Sequence, residues 1–334
     1  MCGISGIITN NSTKEEIYKN INLMTSKIKH RGPDDYGVWI DTERGISMAH
    51  NRLSIIDLSK SGHQPMKSKN GRYIISFNGE IYNYKEIKVL LDKEFGVSSR
   101  WNGASDTEVL ITAIEFWGLR KTLDIIKGMF AFSLWDNDNR DIYLVRDRFG
   151  EKPLYWGFVR NNYNNYRDFV FSSELSAITA LPFFNNKFSN KGLNDYFNYG
   201  YISAPNSIYD EIYQLIPGNL LKINQEEFFD NNLYNPKPEI WYKLTDKKKE
   251  RNKSYNKNEL KDILEDIITK SISLQNNADV PICTFLSGGI DSTLVATLLQ
   301  KICIEKINTL TISFPGDKKS KSPFNEGPYA AKIA

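Results

Sequence analysis

The sequence predicts a layered α/β or α+β domain followed by a second domain of the parallel α/β type. For the first domain, short apolar runs such as 73–77 have the length and the β-branched content of buried strands, and segments of helical periodicity separate them. From residue 258 the order becomes helix, strand, Gly turn, helix, strand, which contains a βαβ unit. A length of 334 residues also suits about two domains.

Strands and helices interleave through the first 215 residues, as in a layered domain. Apolar runs predict strands at 3–8, 73–77, 130–135 and 141–145, and helical periodicity predicts helices at 15–28, 84–95 and 107–117. Residues 216–257 change in character, because Pro217, Gly218, Pro236 and Pro238 accompany an Asn- and Lys-rich stretch. We therefore predict a first domain at 2–215, a boundary and linker at 216–257, and a second domain at 258–334.

The second domain is predicted from two helical stripes and two strands. The strands are the apolar runs 280–286 and 310–314. The apolar positions of the helices are Leu260, Ile263, Leu264, Ile267 and Ile268 in the first, and Leu294, Val295, Leu298, Leu299 and Ile302 in the second.

Composition excludes several classes of protein. Lys+Arg 43 against Asp+Glu 40 gives a net charge of +3, which offers no general electrostatic attraction to nucleic acid or to an anionic membrane. Three cysteines argue against a disulfide framework and suit a reducing cytosol. No run approaches the roughly 18 apolar residues of a membrane span. These features predict a cytoplasmic protein without nucleic-acid or membrane partners.

Cys2 directly follows Met1. Trimming of Met1 would leave Cys2 with a free α-amine, whose ordinary pKa is about 7.7–8.0. Such an amine can take the thiol proton, so one residue would supply both the nucleophile and the base. The alternative is an ordinary buried cysteine near the start of a strand.

Three further positions are candidates for a small-molecule site. Asn78-Gly79 follows a predicted strand and could offer a side-chain amide and a backbone N–H to one oxyanion, or it could form a tight turn. Arg52 could clamp a carboxylate with two hydrogen bonds, or it could be a surface residue. Asp106 could pair with a substrate ammonium, or it could serve a helix N-terminus.

Together these segments resemble the class II glutamine amidotransferase domain of the asparagine synthetase kind. The resemblance covers residues 1 to about 180, and its specificity comes from the order of eight segments. They are Met1-Cys2-Gly3-Ile4, His30-Arg31-Gly32-Pro33-Asp34, Arg52-Leu53-Ser54-Ile55, Phe77-Asn78-Gly79-Glu80-Ile81-Tyr82-Asn83, Ser105-Asp106-Thr107-Glu108, Gly128-Met129-Phe130-Ala131-Phe132, Arg146-Asp147-Arg148-Phe149-Gly150-Glu151-Lys152-Pro153-Leu154-Tyr155 and Phe171-Ser172-Ser173-Glu174.

The resemblance implies a four-layer αββα sandwich of the N-terminal-nucleophile hydrolase type. Cys2 would attack the side-chain amide of glutamine, and Asn78 and Gly79 would hold the oxyanion of the tetrahedral intermediate. Arg52 would bind the α-carboxylate of glutamine. Asp106 and Glu80 would lie near its α-amine.

A second candidate site is the segment 286–292, Leu-Ser-Gly-Gly-Ile-Asp-Ser, which follows a predicted strand and opens a helix. Its glycines, hydroxyls and free backbone N–H groups suit a phosphate, and no Walker A signature follows. The segment resembles the pyrophosphate loop of ATP pyrophosphatases. That resemblance implies an ATP site, with Mg²⁺ held by Asp291 and no prosthetic group. The implied ATP-binding residues are Leu286, Ser287, Gly288, Gly289, Asp291, Ser292 and Ile312.

The two resemblances imply a glutamine-hydrolysing asparagine synthase, which is a carbon–nitrogen ligase. It would release ammonia from glutamine, adenylate aspartate with ATP and release AMP and pyrophosphate. Its partners would be these small molecules, and a homodimer is compatible with the resemblance. The alternatives are a related amidotransferase with another carboxylate acceptor and a non-catalytic glutamine-sensing module.

The second domain is expected to be the N-terminal part of a Rossmann-like ATP-pyrophosphatase domain. It holds about 75 residues and two predicted strands, whereas a doubly wound nucleotide-binding sheet has about five or six. We therefore expect a C-terminally truncated synthetase half. Residues that determine the acceptor carboxylate are expected beyond Ala334.

Overall fold

The computed structural model describes residues 1–10, 12–160, 167–231, 234–247, 255–314 and 325–334. These residues belong to two compact units, Met1–Lys248 and Lys249–Ala334. The strands of the first unit are β1 Gly3–Ile8, β2 Asp35–Asp41, β3 Ile46–Arg52, β4 Met66–Lys67, β5 Tyr73–Ile81, β6 Gly128–Asp136, β7 Asp141–Arg146, β8 Tyr155–Arg160, β9 Arg167–Ser172, β10 Ile212–Gln214, β11 Asn219–Asn224 and β12 Glu239–Ile240. Its α-helices are α1 Lys14–Lys27, α2 Tyr84–Phe95, α3 Asp106–Trp117, α4 Leu119–Ile125, α5 Leu175–Thr179, α6 Asn190–Tyr199 and α7 Gln225–Asp230.

The first unit is built on two stacked antiparallel sheets. Their strand orders are β10-β8-β9-β1-β3-β2 and β12-β11-β7-β6-β5-β4. One buried layer, which includes Ile4 and Trp135, fills the space between the sheets. The outer face of the first sheet packs on α1 and α5, and that of the second packs on α2 and α3. The predicted αββα sandwich is therefore confirmed.

Local signals explain where the predicted helices begin and end. Thr13 caps α1 in a capping box with Glu16, and the Ser105 side chain accepts the backbone N–H of Glu108 at the start of α3. Gly96 ends α2 in the left-handed region at φ +64°, which suits a residue without Cβ. Each of these helices lies within one residue of its predicted bounds.

The sandwich extends past residue 215, where the sequence predicts its end. The segment 216–257, predicted as boundary and linker, contains β11, which pairs antiparallel with β7. Leu220, Leu221 and Ile223 are buried in the core, so their apolar side chains tie this strand to the sheet. Pro217 and Gly218 form the turn into β11, and the composition change there marks a loop within the unit.

The second unit contains α8 Lys257–Gln275, β13 Cys283–Phe285, α9 Ile290–Ile302, β14 Asn308–Leu310 and α10 Gly327–Ile333. β13 and β14 pair in parallel with α9 between them in sequence, which is the expected βαβ unit. The strand predicted at 310–314 lies at Asn308–Leu310 instead, because β13 offers partners only as far as Leu310. Beyond it, Ile312 and Phe314 are exposed.

The helical faces of the second unit are only partly covered. On α9, Leu298 is buried, whereas Leu294 is exposed. The predicted apolar stripe of α8 is exposed at Leu260, Ile263 and Leu264. Among the described residues, we find no helix with the length and apolar character needed to span a bilayer.

Candidate active site

A cavity of about 250 Å³ lies in the first unit where the start of β1 meets the end of β5. Its volume falls below the roughly 300–1,000 Å³ of pockets for drug-sized ligands, so it suits a small substrate. The fold brings every residue of the predicted glutamine site to its wall. Those residues are Cys2, Arg52, Asn78, Gly79, Glu80 and Asp106.

Cys2 immediately precedes β1, which is held between β3 and β9. Two hydrogen bonds join Cys2 to Leu53. The backbone N–H of Leu53 donates to Cys2 Sγ at 3.4 Å, and the Cys2 thiol donates to the Leu53 carbonyl oxygen at 3.6 Å. Burial raises the pKa of the Cys2 thiol. The thiol is therefore protonated at neutral pH, and a base must remove its proton before it can act as a nucleophile.

A base of suitable type is the α-amine of the chain. Burial lowers the pKa of the N-terminal amine, and the nearby cations Arg31 and Lys152 lower it further. This amine belongs to Met1, whose residue also lines the cavity beside Cys2. An amine with a lowered pKa is more often neutral at cellular pH, which is the form that accepts a proton.

Two of the sequence motifs fix the backbone that carries Cys2. Arg31 Nε donates to the Cys2 carbonyl oxygen at 2.9 Å, and Arg31 Nη1 donates to Glu174 Oε1 at 2.8 Å. The Ser173 hydroxyl accepts the backbone N–H of Ile4 at 3.0 Å. The segments 30–34 and 171–174 thus hold the start of β1 in place.

Asn78 supplies a buried hydrogen-bond donor. Its side chain is 1% exposed, and Nδ2 has no hydrogen-bond partner among the described residues. A buried donor without a partner costs about 1–3 kcal/mol, so a structural role for this amide is a poor explanation. Gly79 follows on the same strand, where an added Cβ would lie 2.2 Å from the Met129 carbonyl oxygen. Only glycine therefore fits the pairing of β5 with β6 here.

Arg52 ends β3 with its guanidinium buried and held by a loop. Nη1 donates to the Ser59 carbonyl oxygen at 2.8 Å, and Nη2 donates to the Asp57 carbonyl oxygen. An added Cβ at Gly62 would lie 1.9 Å from Nη2, so the loop closes tightly around the group. A guanidinium has five donors, and the loop orients those that remain toward one cavity.

Asp106 and Glu80 give the cavity its negative charge. Asp106 begins α3, and its Oδ2 accepts the backbone N–H of Ile81 at 2.8 Å. Burial raises the pKa of Asp106 to about 7, and the charge of Glu80 adds to that rise. Burial also raises the pKa of Glu80, and the positive charge of Lys152 lowers it. The cavity therefore offers both a cation and anions to a zwitterionic ligand.

The cavity wall also includes Leu53, Gln64 and Lys152, to which the sequence interpretation gave no role. Leu53 and Lys152 lie inside the matched segments. A sequence does not show that the backbone of Leu53 contacts the sulfur or that Lys152 lies on the cavity wall. Gln64 had no sequence signal. It accepts the backbone N–H of Phe77 at 2.7 Å and donates to the Thr107 hydroxyl at 3.3 Å, which braces β5 against α3.

The predicted phosphate loop lies in the second unit between β13 and α9. The Ser292 hydroxyl is 2.9 Å from that of Ser287 and accepts the Ser287 backbone N–H at 3.2 Å. Gly288 has φ +82°, a conformation that favours glycine. Gly289 caps α9 without a side-chain hydrogen bond, so the first N–H groups of the helix stay available.

The other predicted nucleotide residues differ in exposure. Leu286 is buried with Ala296 and Ala330, whereas Ile312 is 65% exposed. Asp291 lies exposed in the first turn of α9. Within the described ranges, no group of three or more His, Cys, Asp or Glu residues could hold a metal ion.

Comparison with known proteins finds a family model for each part of the chain. The family model described as glutamine amidotransferase domain matches residues 1–234, and the model described as asparagine synthase matches residues 263–334. The putative glutamine-hydrolyzing asparagine synthetase 2 of Methanocaldococcus jannaschii is 33% identical over 98% of this chain and 62% of that protein. Amidase chry2 of Gibberella zeae is 28% identical over 100% of this chain and 48% of that protein.

A solved structure supports the fold. The allosteric regulatory enzyme of purine biosynthesis aligns with a TM-score of 0.50 at 17% identity, over 96% of this chain and 67% of that chain. This chain spans about half to three fifths of the length of the curated relatives it matches. Because one family model covers most of the chain and the cavity residues all fall within it, the chain belongs to the glutamine amidotransferase domain family.

Proposed function

We propose that the first unit hydrolyses glutamine to glutamate and ammonia, and that the whole protein uses this ammonia to convert aspartate into asparagine. One observation carries the first part. A single cavity joins the Cys2 thiol, the unpartnered buried amide of Asn78 and side chains of both charges. A substrate that is both an amide and a zwitterion requires this combination.

Glutamine would be oriented by its α-centre. The Arg52 guanidinium binds the α-carboxylate, for which its planar donor edge is suited. Asp106 and Glu80 accept the α-ammonium. The side chain of glutamine then reaches toward Cys2, which places its amide carbon beside the sulfur.

The chemistry follows from these positions. After trimming of Met1, the free amine of Cys2 takes the thiol proton, and Sγ attacks the amide carbon. Asn78 Nδ2 and the Gly79 N–H donate to the oxyanion. The carbon–nitrogen bond then breaks, and the amine returns its proton to the leaving ammonia. Water hydrolyses the thioester, which yields glutamate and restores the thiol.

The second unit would begin the site where ATP activates the acceptor. The 287–292 loop binds phosphates through its hydroxyls and the N–H groups that open α9. Asp291 fits Mg²⁺, since this ion needs one or two carboxylates besides phosphate oxygens, and it would neutralise phosphate charge. The aspartate β-carboxylate attacks the α-phosphate and releases pyrophosphate, and ammonia then displaces AMP. We also propose a cytoplasmic location, which suits three free cysteines, and a homodimer.

The test measures ammonia and glutamate after the chain is incubated with glutamine, with Cys2→Ala as the negative control. We expect equal amounts of both products from the unaltered chain and none from the variant. Binding of glutamine without ammonia release would instead indicate a sensing module. For the second half, AMP formation by the full-length protein is compared between aspartate and other carboxylates, and a preference for another acceptor would contradict asparagine synthesis.

A further inference from the structure

Lys152 lies on the wall of the candidate active site with its residue only 7% exposed. Burial lowers the pKa of Lys152, and the charge of Glu80 is the strongest influence that opposes this. Placing a cation in such a site is unfavourable unless an anion compensates it. Arg52 is proposed to bind the carboxylate, and Arg31 lowers the amine pKa more strongly than Lys152 does, so neither role accounts fully for a second cation in the cavity.

The loop that carries Lys152 is held by two buried charged residues. The Asp147 carboxylate accepts the backbone N–H groups of Phe149, Glu151 and Lys152, each at 3.0 Å. Arg146 donates to the carbonyl oxygens of Lys152 and Gly150, each at 2.8 Å, and of Leu215 at 2.6 Å. These bonds fix the backbone of the loop, from which Lys152 contributes to the cavity wall.

The charges of the cavity explain what this placement achieves. The charge of Glu80 raises the pKa of Asp106, since two carboxylates on the wall of one buried site oppose each other's ionisation. The groups that act on Glu80 or respond to it are Lys152, the N-terminal amine, Asp106 and Tyr82. Lys152 is the side-chain cation among them. With Arg52, the wall then holds two cations and two anions, which is a neutral balance for a neutral zwitterion.

We propose that Lys152 is a positioning residue that compensates the second carboxylate, so that Glu80 and Asp106 are both ionised when the α-ammonium of glutamine binds. The inference deepens the proposed function and rests on it. Lys152 acts through Glu80 and does not touch the reacting amide. Its removal should therefore weaken recognition of the α-amine most, and should affect the chemistry at Cys2 only through its smaller influence on the N-terminal amine, on which Arg31 acts more strongly.

The experiment compares Lys152→Met and Lys152→Arg with the unaltered chain. Lys187→Met is the matched control, because Lys187 forms an exposed ion pair with Asp210. The substrates are glutamine and glutaramate, which carries the same amide and carboxylate but no α-amine. KM and kcat are measured from pH 6 to pH 8.5, and glutamine binding is measured by calorimetry in a Cys2→Ala background.

We expect Lys152→Met to raise KM for glutamine several-fold at pH 7 with a smaller change in kcat, because loss of the cation raises the pKa of Glu80 further. The loss should shrink toward pH 8.5, where Glu80 ionises without help, and glutaramate should be unaffected. Lys152→Arg should stay within about threefold of the unaltered chain. Lys187→Met should behave as the unaltered chain.

Two outcomes overturn the inference alone: no change in KM, or an equal loss for glutamine and glutaramate, which indicates a structural role. If the unaltered chain binds glutamine but releases no ammonia, the proposed hydrolysis fails, and weaker binding by Lys152→Met still supports the subsite. If the unaltered chain neither binds nor hydrolyses glutamine, the proposed function and the inference fall together.

Discussion

The backbone N–H of Leu53 donates to Cys2 Sγ over 3.4 Å. This bond ties the candidate nucleophile to the residue that directly follows Arg52. The thiol and the guanidinium proposed to bind the α-carboxylate are therefore both positioned by the same backbone segment, at the end of β3. A substrate fixed by its carboxylate is consequently also placed relative to the sulfur.

Cys2→Ala is expected to abolish ammonia release from glutamine while glutamine binding stays within a few-fold of the unaltered chain. The reason is that the variant removes the nucleophile but keeps the charged groups at the α-centre. Coupled assays for ammonia and calorimetry with glutamine measure the two effects. Cys283→Ala serves as the control, since Cys283 is exposed in the second unit. Residual hydrolysis by Cys2→Ala would contradict the assignment.

Arg52→Lys is expected to lower kcat/KM for glutamine by about 10- to 100-fold, equivalent to about 1.5–3 kcal/mol for a lost charged hydrogen bond. A lysine keeps the charge but cannot bond the Asp57 and Ser59 carbonyls and a carboxylate together. The loss should disappear with 4-aminobutanamide, which lacks the carboxylate. Arg44→Lys is the control at a partly exposed arginine outside the cavity. An equal loss for both substrates would disprove a role in carboxylate binding.

Asp106 makes two pH effects testable. Its pKa is raised by burial to about 7, and it must be ionised to bind an ammonium, so kcat/KM for glutamine should fall as pH decreases below about 7. Asp106→Asn should lower kcat/KM and remove this acidic limb. A steady-state pH profile of both proteins is the measurement. A limb that persists in Asp106→Asn would assign it to another group.

The same shift predicts a stability effect of opposite sign. The folded chain retains a proton on Asp106 that the unfolded chain loses above its ordinary pKa of 3.8, so the free energy of unfolding falls as pH rises from 3.8 through about 7. Asp106→Asn should therefore be more stable than the unaltered chain by about 4 kcal/mol at pH 8, which is the linkage energy of this shift, and equally stable near pH 4. Urea denaturation at the two pH values decides this. A difference that does not depend on pH would exclude the linkage.

Arg31→Ala should lower kcat by about 10- to 100-fold with a small change in KM. Arg31 joins the Cys2 carbonyl to Glu174, so its loss frees the backbone of the nucleophile without touching the α-centre of glutamine. Arg140→Ala is the control, because it breaks an exposed ion pair with Glu226. Steady-state kinetics measures the split. An increase in KM alone would show that Arg31 acts on binding.

The sandwich could be predicted where the strands are buried on both faces, as in the apolar run that begins β5. The same strand continues to Ile81 through Asn78, Gly79 and Glu80, which apolar patterning does not predict. These three residues remain in the strand because their backbone pairs with β6, and they also line the cavity. The residues that interrupt the apolar pattern of this strand are thus the ones that line the candidate active site.

The candidate site was predictable as a set of residues, because each belongs to a motif, but its internal electrostatics was not. The sulfur contact of Leu53 is made by a backbone group, and the unpartnered amide of Asn78 is defined by what surrounds it. The contribution of Lys152 depends on a loop shaped by Arg146 and Asp147. Such relationships arise from tertiary contacts between distant segments, and a single sequence does not record them.

The proposed nucleophile and the proposed oxyanion donor belong to different sheets of the sandwich. Cys2 leads into β1 of the first sheet, and Asn78 lies on β5 of the second, with Ile4, Ile74 and Ala131 in the layer between. The distance between the Cys2 thiol and the Asn78 amide therefore depends on the thickness of that apolar layer. A conservative change such as Ala131→Val, distant in chemical character from any catalytic group, would wedge the sheets apart and slow hydrolysis. The rate of the proposed glutamine hydrolysis would then depend on the volume of side chains in the interior.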